Sequence, residues 1–507
     1  MRKEEWFVNR TRLLSVNLTR IIPAPAAATH QSVASFGLIT GTPTSRRLRS
    51  QALPWIALLL CFLSDPLLAT AQSSFFTIVT NGPSANRLNI VMLAEGYTSA
   101  QSSQFRVDAT NAASALLATA PYAEYRNYCN VFAISVPSNQ SGSSHYGAVP
   151  NTYFNSAYDP VSDILITIPP YTSDSNYAHG QGKVDALLAT YMPRCQLPIL
   201  LVNDLVPGGS DGFYQTAIAA KNSLDYMVHE TGHVLANLGD EYTNAYPGFP
   251  DTEEPNTTRQ TQPSLIKWNS WISTNTPIPT PANSQYANEI GLFQGAHYHT
   301  TGWYRPKEDC TMNHYGVPFC DVCAEALVIS ISQKARPVDG FSPAGTNLAV
   351  STTQALSFAL TLQQPATHNL KVQWFTNGMP LAGATNTTFL ILPSTLGNGT
   401  NIVGALVHDP TPLVRNDPTN WLSQTVSWTL NVNLPFLRLD SPTWLTGGRF
   451  AFRVTGVAPS GFVVLSSTNF SNWSRIATNT LTGGQFWYTN SGTSGAVRTY
   501  FRALTPP

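Results

Sequence analysis

The chain has 507 residues with 28 Lys+Arg against 28 Asp+Glu, and 11% of it is charged where an average soluble domain carries about 25%. Hydrophobic residues make up 43% and aromatics 11%, enough for packed cores, which excludes a disordered polyelectrolyte. The balanced charge has no basic block and so lacks the electrostatic footprint of a nucleic-acid-binding protein; no nucleic-acid partner is expected.

The most hydrophobic stretch, 52–63 (ALPWIALLLCFL), is shorter than the ~20 apolar residues that span a bilayer. Arg46, Arg47 and Arg49 precede it and Ala69-Thr70-Ala71 follows, so 1–71 reads as a leader with a signal peptide cleaved after Ala71. The chain is therefore expected to be exported, either secreted or held at the cell surface. Removing the leader takes away eight of the 28 basic residues and three of the 28 acidic ones, leaving a net charge of −5. That sign gives no attraction to anionic membranes.

Beyond the leader, short apolar runs alternate with helical stretches, which predicts a mixed α/β domain over 72–336. Buried strands are expected at 88–93, 131–136, 164–168 and 198–202, with a helix over 104–117 (QFRVDATNAASALL). Leu224, Met227, Val228, Leu235 and Leu238 recur at three- and four-residue spacing, predicting a second helix with Ser223 as its N-cap and Gly239 as its stop. Past Lys334 the character changes. Residues 337–345 read as a linker, 346–434 as an immunoglobulin-like β-sandwich with a hairpin at Asn377-Gly378 and Trp374 on a central strand, and 435–507 as a second small β module.

The second helix carries His229-Glu230-Thr231-Gly232-His233, an H-E-x-x-H pattern. Residues i and i+4 share a helical face, so His229 and His233 are expected to bind one Zn²⁺ with Glu230 beside it. Zinc held by neutral imidazoles lowers the pKa of its water toward about 7, and a neighbouring carboxylate takes the proton as that water attacks a carbonyl. A catalytic zinc usually has a third protein ligand. Asp240 stands seven residues past His233, about 10.5 Å along a straight helix, so it reaches the metal only if the chain bends, and Gly239 is the expected bend. Glu241, Glu253, Glu254, His297 and His299 are the alternatives, and a role behind the ligands is the other reading of Asp240. Tyr242, Tyr298 and Tyr304 are candidate donors to an oxyanion.

The stretch 229–242 (HETGHVLANLGDEY) is followed by Tyr304-Arg305-Pro306, Cys310-Thr311-Met312 and Phe319-Cys320-Asp321-Val322-Cys323. It is preceded by Glu95-Gly96-Tyr97, and by Pro121-Tyr122 ahead of Asn130-Val131-Phe132. In this order the motifs resemble the secreted immunoglobulin A metallopeptidase family over roughly 89–327. The resemblance implies that His229 and His233 bind zinc, that Glu230 is the base, and that Asp240 is the best-placed further ligand. Together these readings give a zincin-like α/β (mixed α+β) catalytic domain followed by two all-β sandwich modules, acting as a zinc endopeptidase on a protein or peptide substrate. The β modules offer cell-surface or glycan contact. A rival reading is an adhesin or glycan-binding protein with a structural or inactive zinc. Glu230 separates the two, because a closed structural site needs no carboxylate beside a water.

Met312 invites comparison with the Met-containing turn beneath the zinc of metzincins, although Ala236 stands where those enzymes carry Gly. Five cysteines follow the leader, and a structural bridge from Cys310 to Cys320 or Cys323 is expected because no second C-x-x-C completes a zinc knuckle. Every candidate catalytic residue precedes Cys323, so a fragment ending near Arg336 is expected to fold and to cut short peptides.

Overall fold

The computed structural model describes residues 73–145, 147–170, 177–211, 215–246, 248–458, 461–490 and 498–505. The leader, its apolar core at 52–63 and the cleavage point after Ala71 lie outside the described residues. Among the described residues no helix is long and apolar enough to cross a membrane.

The N-terminal half is built on a six-stranded sheet. In chain order its elements are β1 (Ser74–Val79), β2 (Leu88–Glu95), helix α1 (Ser102–Ala118), β3 (Cys129–Ser135), the short pair β4 (Ala157–Tyr158) and β5 (Ile166–Thr167), α2 (Gln181–Tyr191), β6 (Leu197–Val202), β7 (Gly209–Ser210), β8 (Ala217–Ala220) and α3 (Leu224–Ala236). The order across the sheet is β1-β3-β2-β6-β8-β7. β3, β2, β6 and β8 run parallel, and the outer β1 and β7 are antiparallel to their neighbours. Every residue of β2, β3 and β6 is buried, as expected of parallel strands covered on both faces, which is why they appear in the sequence as unbroken apolar runs. α1 buries Phe105, Ala109, Ala112, Ala113 and Leu116, a stripe at helical spacing.

One expected strand lands elsewhere. The run 164–168 keeps only Ile166–Thr167 as β5, which pairs with β4 and stays out of the main sheet. Pro169 and Pro170 follow it directly and have no N–H to extend a ladder.

Then come the hairpin β9 (Phe293–Ala296) and β10 (His299–Arg305), and the helix α4 (Asp321–Lys334). The segment expected as a linker is instead a strand: β11 (Val338–Ser342) pairs with residues Leu356–Leu362. Three- and five-stranded sheets then enclose a core of Phe358, Trp374 and Trp428. The hairpin at Asn377-Gly378 forms as expected, with φ of 49° and 80° and Thr376 paired to Met379. Two three-stranded sheets over residues 436–504 enclose a separate small core of Phe452, Val454, Phe462 and Val464.

The first of these β units is joined tightly to the N-terminal half. Arg87 meets Asp339 through two bonds of 2.6 Å, Tyr125 Oη donates to Asp409 at 2.9 Å, and Leu422 is buried in the N-terminal core.

Candidate metal centre

α3 starts at Ser223, whose carbonyl accepts the first helical bond from Met227 at 3.0 Å. Its hydroxyl makes no capping bond and accepts the Gly208 N–H instead. The helix presents His229 and His233 one turn apart, both buried. His229 Nδ1 lies 2.7 Å from the Thr311 carbonyl and His233 Nδ1 lies 2.6 Å from the Leu238 carbonyl. A carbonyl oxygen only accepts, so each Nδ1 carries a proton and each Nε2 faces the other, 3.0 Å away.

The helix ends earlier than the sequence predicts. Asn237 takes the left-handed conformation (φ 53°, ψ 37°), its N–H returns to His233 O, and Leu238 N–H returns to Gly232 O at 3.2 Å. This reversal, two residues ahead of Gly239, folds Asp240 back onto the imidazoles, with Oδ1 3.1 Å from His229 Nε2 and 3.3 Å from His233 Nε2. Gly239 has a different use: a Cβ there would sit 2.6 Å from Glu254 Oε2. Its backbone is gripped by the buried Asn256, whose Oδ1 accepts the Gly239 N–H at 2.7 Å and whose Nδ2 donates to Gly239 O at 2.8 Å.

The other oxygen of Asp240 accepts the Tyr298 hydroxyl. His297 and Tyr298 form the two-residue turn of the β9–β10 hairpin, with φ of 54° and 59°. Neither residue favours that region, at a cost of about 1–3 kcal/mol each. The turn is held by His297 N–H to Asp240 O at 2.9 Å, Tyr298 N–H to Tyr242 O at 2.8 Å, and the His297 ring stacked on Trp303 at 3.9 Å. Beneath α3, Met312 is fully buried, and a Cβ on Gly232 would meet its sulfur at 3.0 Å. Thr311 and Met312 thus support the helix from below while Thr311 O orients His229.

Glu230 is buried beside the three donors, with Oε2 3.9 Å from His233 Nε2. Burial, reinforced by Asp211 and Asp240, pushes its carboxyl well above the usual carboxylate range against the pull of His233. Burial alone would lower His233, but Asp240 carries it up to about 10. Burial would raise Asp240, but the two imidazoles hold it far below the usual range. These opposed shifts mark a point where positive charge is strongly stabilised. Tyr242 stacks over His229 with its hydroxyl 3.4 Å from Nε2, and donates to Tyr315 Oη at 2.9 Å.

Four-coordinate zinc with N and O ligands at about 2.0–2.1 Å separates them by roughly 3.3–3.4 Å. The spacings of 3.0, 3.1 and 3.3 Å among His229 Nε2, His233 Nε2 and Asp240 Oδ1, with both tautomers fixed, fit that ion. Residues 76–285 and 282–331 match the IgA Peptidase M64 family, and together they run over just more than half of the chain and include each residue named above from α3 to Tyr315. The chain belongs to that family. No curated protein matches it. Among solved structures, a quinoprotein alcohol dehydrogenase-like protein of Bacteroides thetaiotaomicron aligns at 10% identity over 29% of this chain and 42% of its own, with a TM-score of 0.16. A β-glucuronidase 3 of Bacteroides uniformis aligns at 10% identity over 41% and 29%, with a TM-score of 0.14. The chain thus spans less than half the length of either, and scores this low carry no fold assignment.

Within this M64 chain the other expected ligands are turned elsewhere. Glu254 pairs with His297 Nδ1 at 3.1 Å, His297 Nε2 donates to Pro250 O, His299 Nδ1 donates to His297 O, and Glu253 faces Lys267 at 3.1 Å. Glu241 points into a cluster of cysteines. The expected bridge is not formed: Cys310 and Cys323 sulfurs are 3.7 Å apart, and all five described cysteines are unbridged. Tyr304 is core. Two upstream family motifs are supports: Tyr122 donates to Thr231 at 3.0 Å, and the buried Glu95 accepts the N–H groups of Phe154 and Ser156, both at 2.9 Å. Sequence reading missed Tyr315, Asn256 and Asp211, which have no spacing relation to the helix motif and meet it only in space.

Proposed function

We propose that the chain is an exported, zinc-dependent endopeptidase of zincin-like fold that hydrolyses protein or peptide substrates. The observation that carries this reading is the convergence of His229 Nε2, His233 Nε2 and Asp240 Oδ1 beside the buried carboxylate of Glu230. Among the described residues three His or carboxylate ligand groups gather there with no fourth His, Cys or carboxylate joining them, which suits an open catalytic position and disfavours the closed structural site of an adhesin. The parallel strands with an antiparallel outer β7 beside α3 support the fold reading.

When bound, zinc supplies Lewis-acid polarisation of the scissile carbonyl and acidifies water. The Thr311 and Leu238 carbonyls hold the Nδ1 protons of His229 and His233 and so turn each Nε2 toward the centre, where the metal would take the place of any Nε2 proton, and Tyr298 keeps Asp240 turned toward them. Glu230 takes the proton of the attacking water and returns it to the leaving amine, and its raised proton affinity suits both transfers. Tyr315 accepts from Tyr242 and so keeps its own proton for an oxyanion. The exposed Trp444 and Trp487, on one sheet of the last β unit, suit contact with a glycan or cell surface.

The test is peptide cleavage by the purified chain with chelator, with zinc restored, and with Glu230→Gln. Chelation should abolish cleavage, zinc should restore it, and the variant should keep its metal while losing about 10²–10⁴-fold in rate. Cleavage that survives either treatment refutes the reading.

A further inference from the structure

Directly behind Asp240 a second set of donors converges, and the proposed chemistry uses none of them. Glu241 points away from the first centre because its N–H is tied to Met312 O at 2.9 Å. It is fully buried; Oε1 accepts from Asn256 Nδ2 at 2.9 Å, while Oε2 has no hydrogen-bond partner. Around it stand Cys310, from the loop after β10, and Cys320 and Cys323, which open α4 one turn apart. The donor atoms of all four residues lie within 4.8 Å of one another, and all four residues are buried.

The spacings distinguish two chemistries. A disulfide requires sulfurs about 2.05 Å apart. A tetrahedral zinc with Zn–S of about 2.3 Å and Zn–O of about 2.0–2.2 Å places two sulfurs roughly 3.8 Å apart and a sulfur and an oxygen roughly 3.6 Å apart. Cys310 Sγ lies 3.7 Å from Cys323 Sγ, and Cys323 Sγ lies 3.6 Å from Glu241 Oε1. The Cys320 N–H, at the start of α4, points at Cys310 Sγ at 3.3 Å, as suits a sulfur carrying negative charge.

We propose that Glu241, Cys310, Cys320 and Cys323 hold a structural zinc ion, distinct from the one at His229 and His233. Binding releases the three thiol protons to solvent and leaves three thiolates and a carboxylate around a divalent ion. The remaining negative charge is offset by the N-terminus of α4 and by the Arg305 guanidinium near Glu241. A disulfide would use two of the three sulfurs and leave a thiol and a buried carboxylate without a partner, whereas the ion engages all four groups. Because Glu241 follows Asp240, the second ion pins the loop that delivers Asp240 to the first.

The test uses the full chain with His229→Ala/His233→Ala, which empties the first centre and leaves this one intact. This variant should retain about one zinc per chain, with zinc–sulfur scattering at about 2.3 Å in X-ray absorption. Its cobalt-substituted form should show a sulfur-to-cobalt charge-transfer band, lost on Cys320→Ser/Cys323→Ser. Alkylation of the denatured wild-type chain after metal removal should find Cys310, Cys320 and Cys323 all free. Absence of zinc from the double-histidine variant, zinc without sulfur neighbours, or a bridge from Cys310 to either other cysteine would each overturn the proposal. None of these readouts uses peptidase activity, so the failure of this inference and that of the proposed function are separable.

Discussion

His229 and His233 can act together because each ring has its Nδ1 proton on a carbonyl, and those carbonyls belong to Thr311 and Leu238, far apart in the chain. Asp240 completes the set only through the turn at Asn237. Asp240→Ala should therefore remove zinc as well as activity, whereas Glu254→Gln should leave zinc occupancy at the first centre unchanged; metal analysis of both variants checks this. Tyr298→Phe removes the bond that orients Asp240 and should cost about 10–100-fold in zinc affinity. The pH dependence follows from Glu230. A base works only when deprotonated, and burial raises the carboxyl, so activity should fall with decreasing pH at a point above the ordinary Glu value of about 4.3. A rate profile whose acid limb lies at or below that value would contradict the assignment.

The elements differ in how plainly their sequences announce them. β2 and β6 are covered on both faces and read as apolar runs, and α3 has its apolar residues at helical spacing. β8, with the sequence AIAA, carries no strand signal, because alanine is a better helix former; its small, fully buried side chains make room for α3 against the sheet. The loop after α3 is the element that makes the site, and it is set by Asn256 from 17 residues on. Asn256→Ala leaves the Gly239 N–H and C=O unsatisfied in the interior and removes one donor from Glu241 Oε1, so a loss of roughly 3 kcal/mol is expected, read by denaturant unfolding. Gly239→Ala should be damaging by a different route, since its methyl would overlap the Glu254 carboxylate.

Across the whole molecule, the first β unit is part of the fold that carries the site. Leu422 sits in the N-terminal core, with Leu413 and Val414 packed against it, and Glu325 of α4 accepts the N–H groups of Arg415 and Asn416. This changes the expectation for truncation. A fragment ending near Arg336 should unfold or aggregate, whereas one ending after Leu434 removes only the unit with its own small core and should keep zinc and short-peptide cleavage. Arg87 and Asp339 join the two parts. Burial opposes ionisation of Asp339, but Arg87 and Asn86 hold its carboxyl below the ordinary range. A depressed carboxyl stabilises the fold above its unfolded pKa of about 3.9, and that contribution is lost as pH falls through the folded value. Asp339→Asn should therefore cost about 2–3 kcal/mol at neutral pH, less than a fully buried pair because Asp339 keeps some solvent, and the gap from wild type should narrow as pH falls below the ordinary Asp value of about 3.9.

What the sequence by itself determined is what periodicity encodes: the strands that lie between two layers, the helix under H-E-x-x-H, the hairpin at Asn377-Gly378, and the family motifs in their order. Those signals survive in one dimension because they come from neighbours within a turn or a pleat. The sequence names Asp240 among its rivals but points to Gly239 for the bend, since a glycine is the usual left-handed residue and Asn237 offers the same conformation less visibly. Only the tertiary structure decided which carboxylate turns toward the imidazoles, that Tyr298 and Tyr315 stand around them, and that three cysteines face Glu241 instead of pairing. Those contacts join residues 58 to 82 positions apart, and the choice among equivalent side chains is made by which loops close on one another.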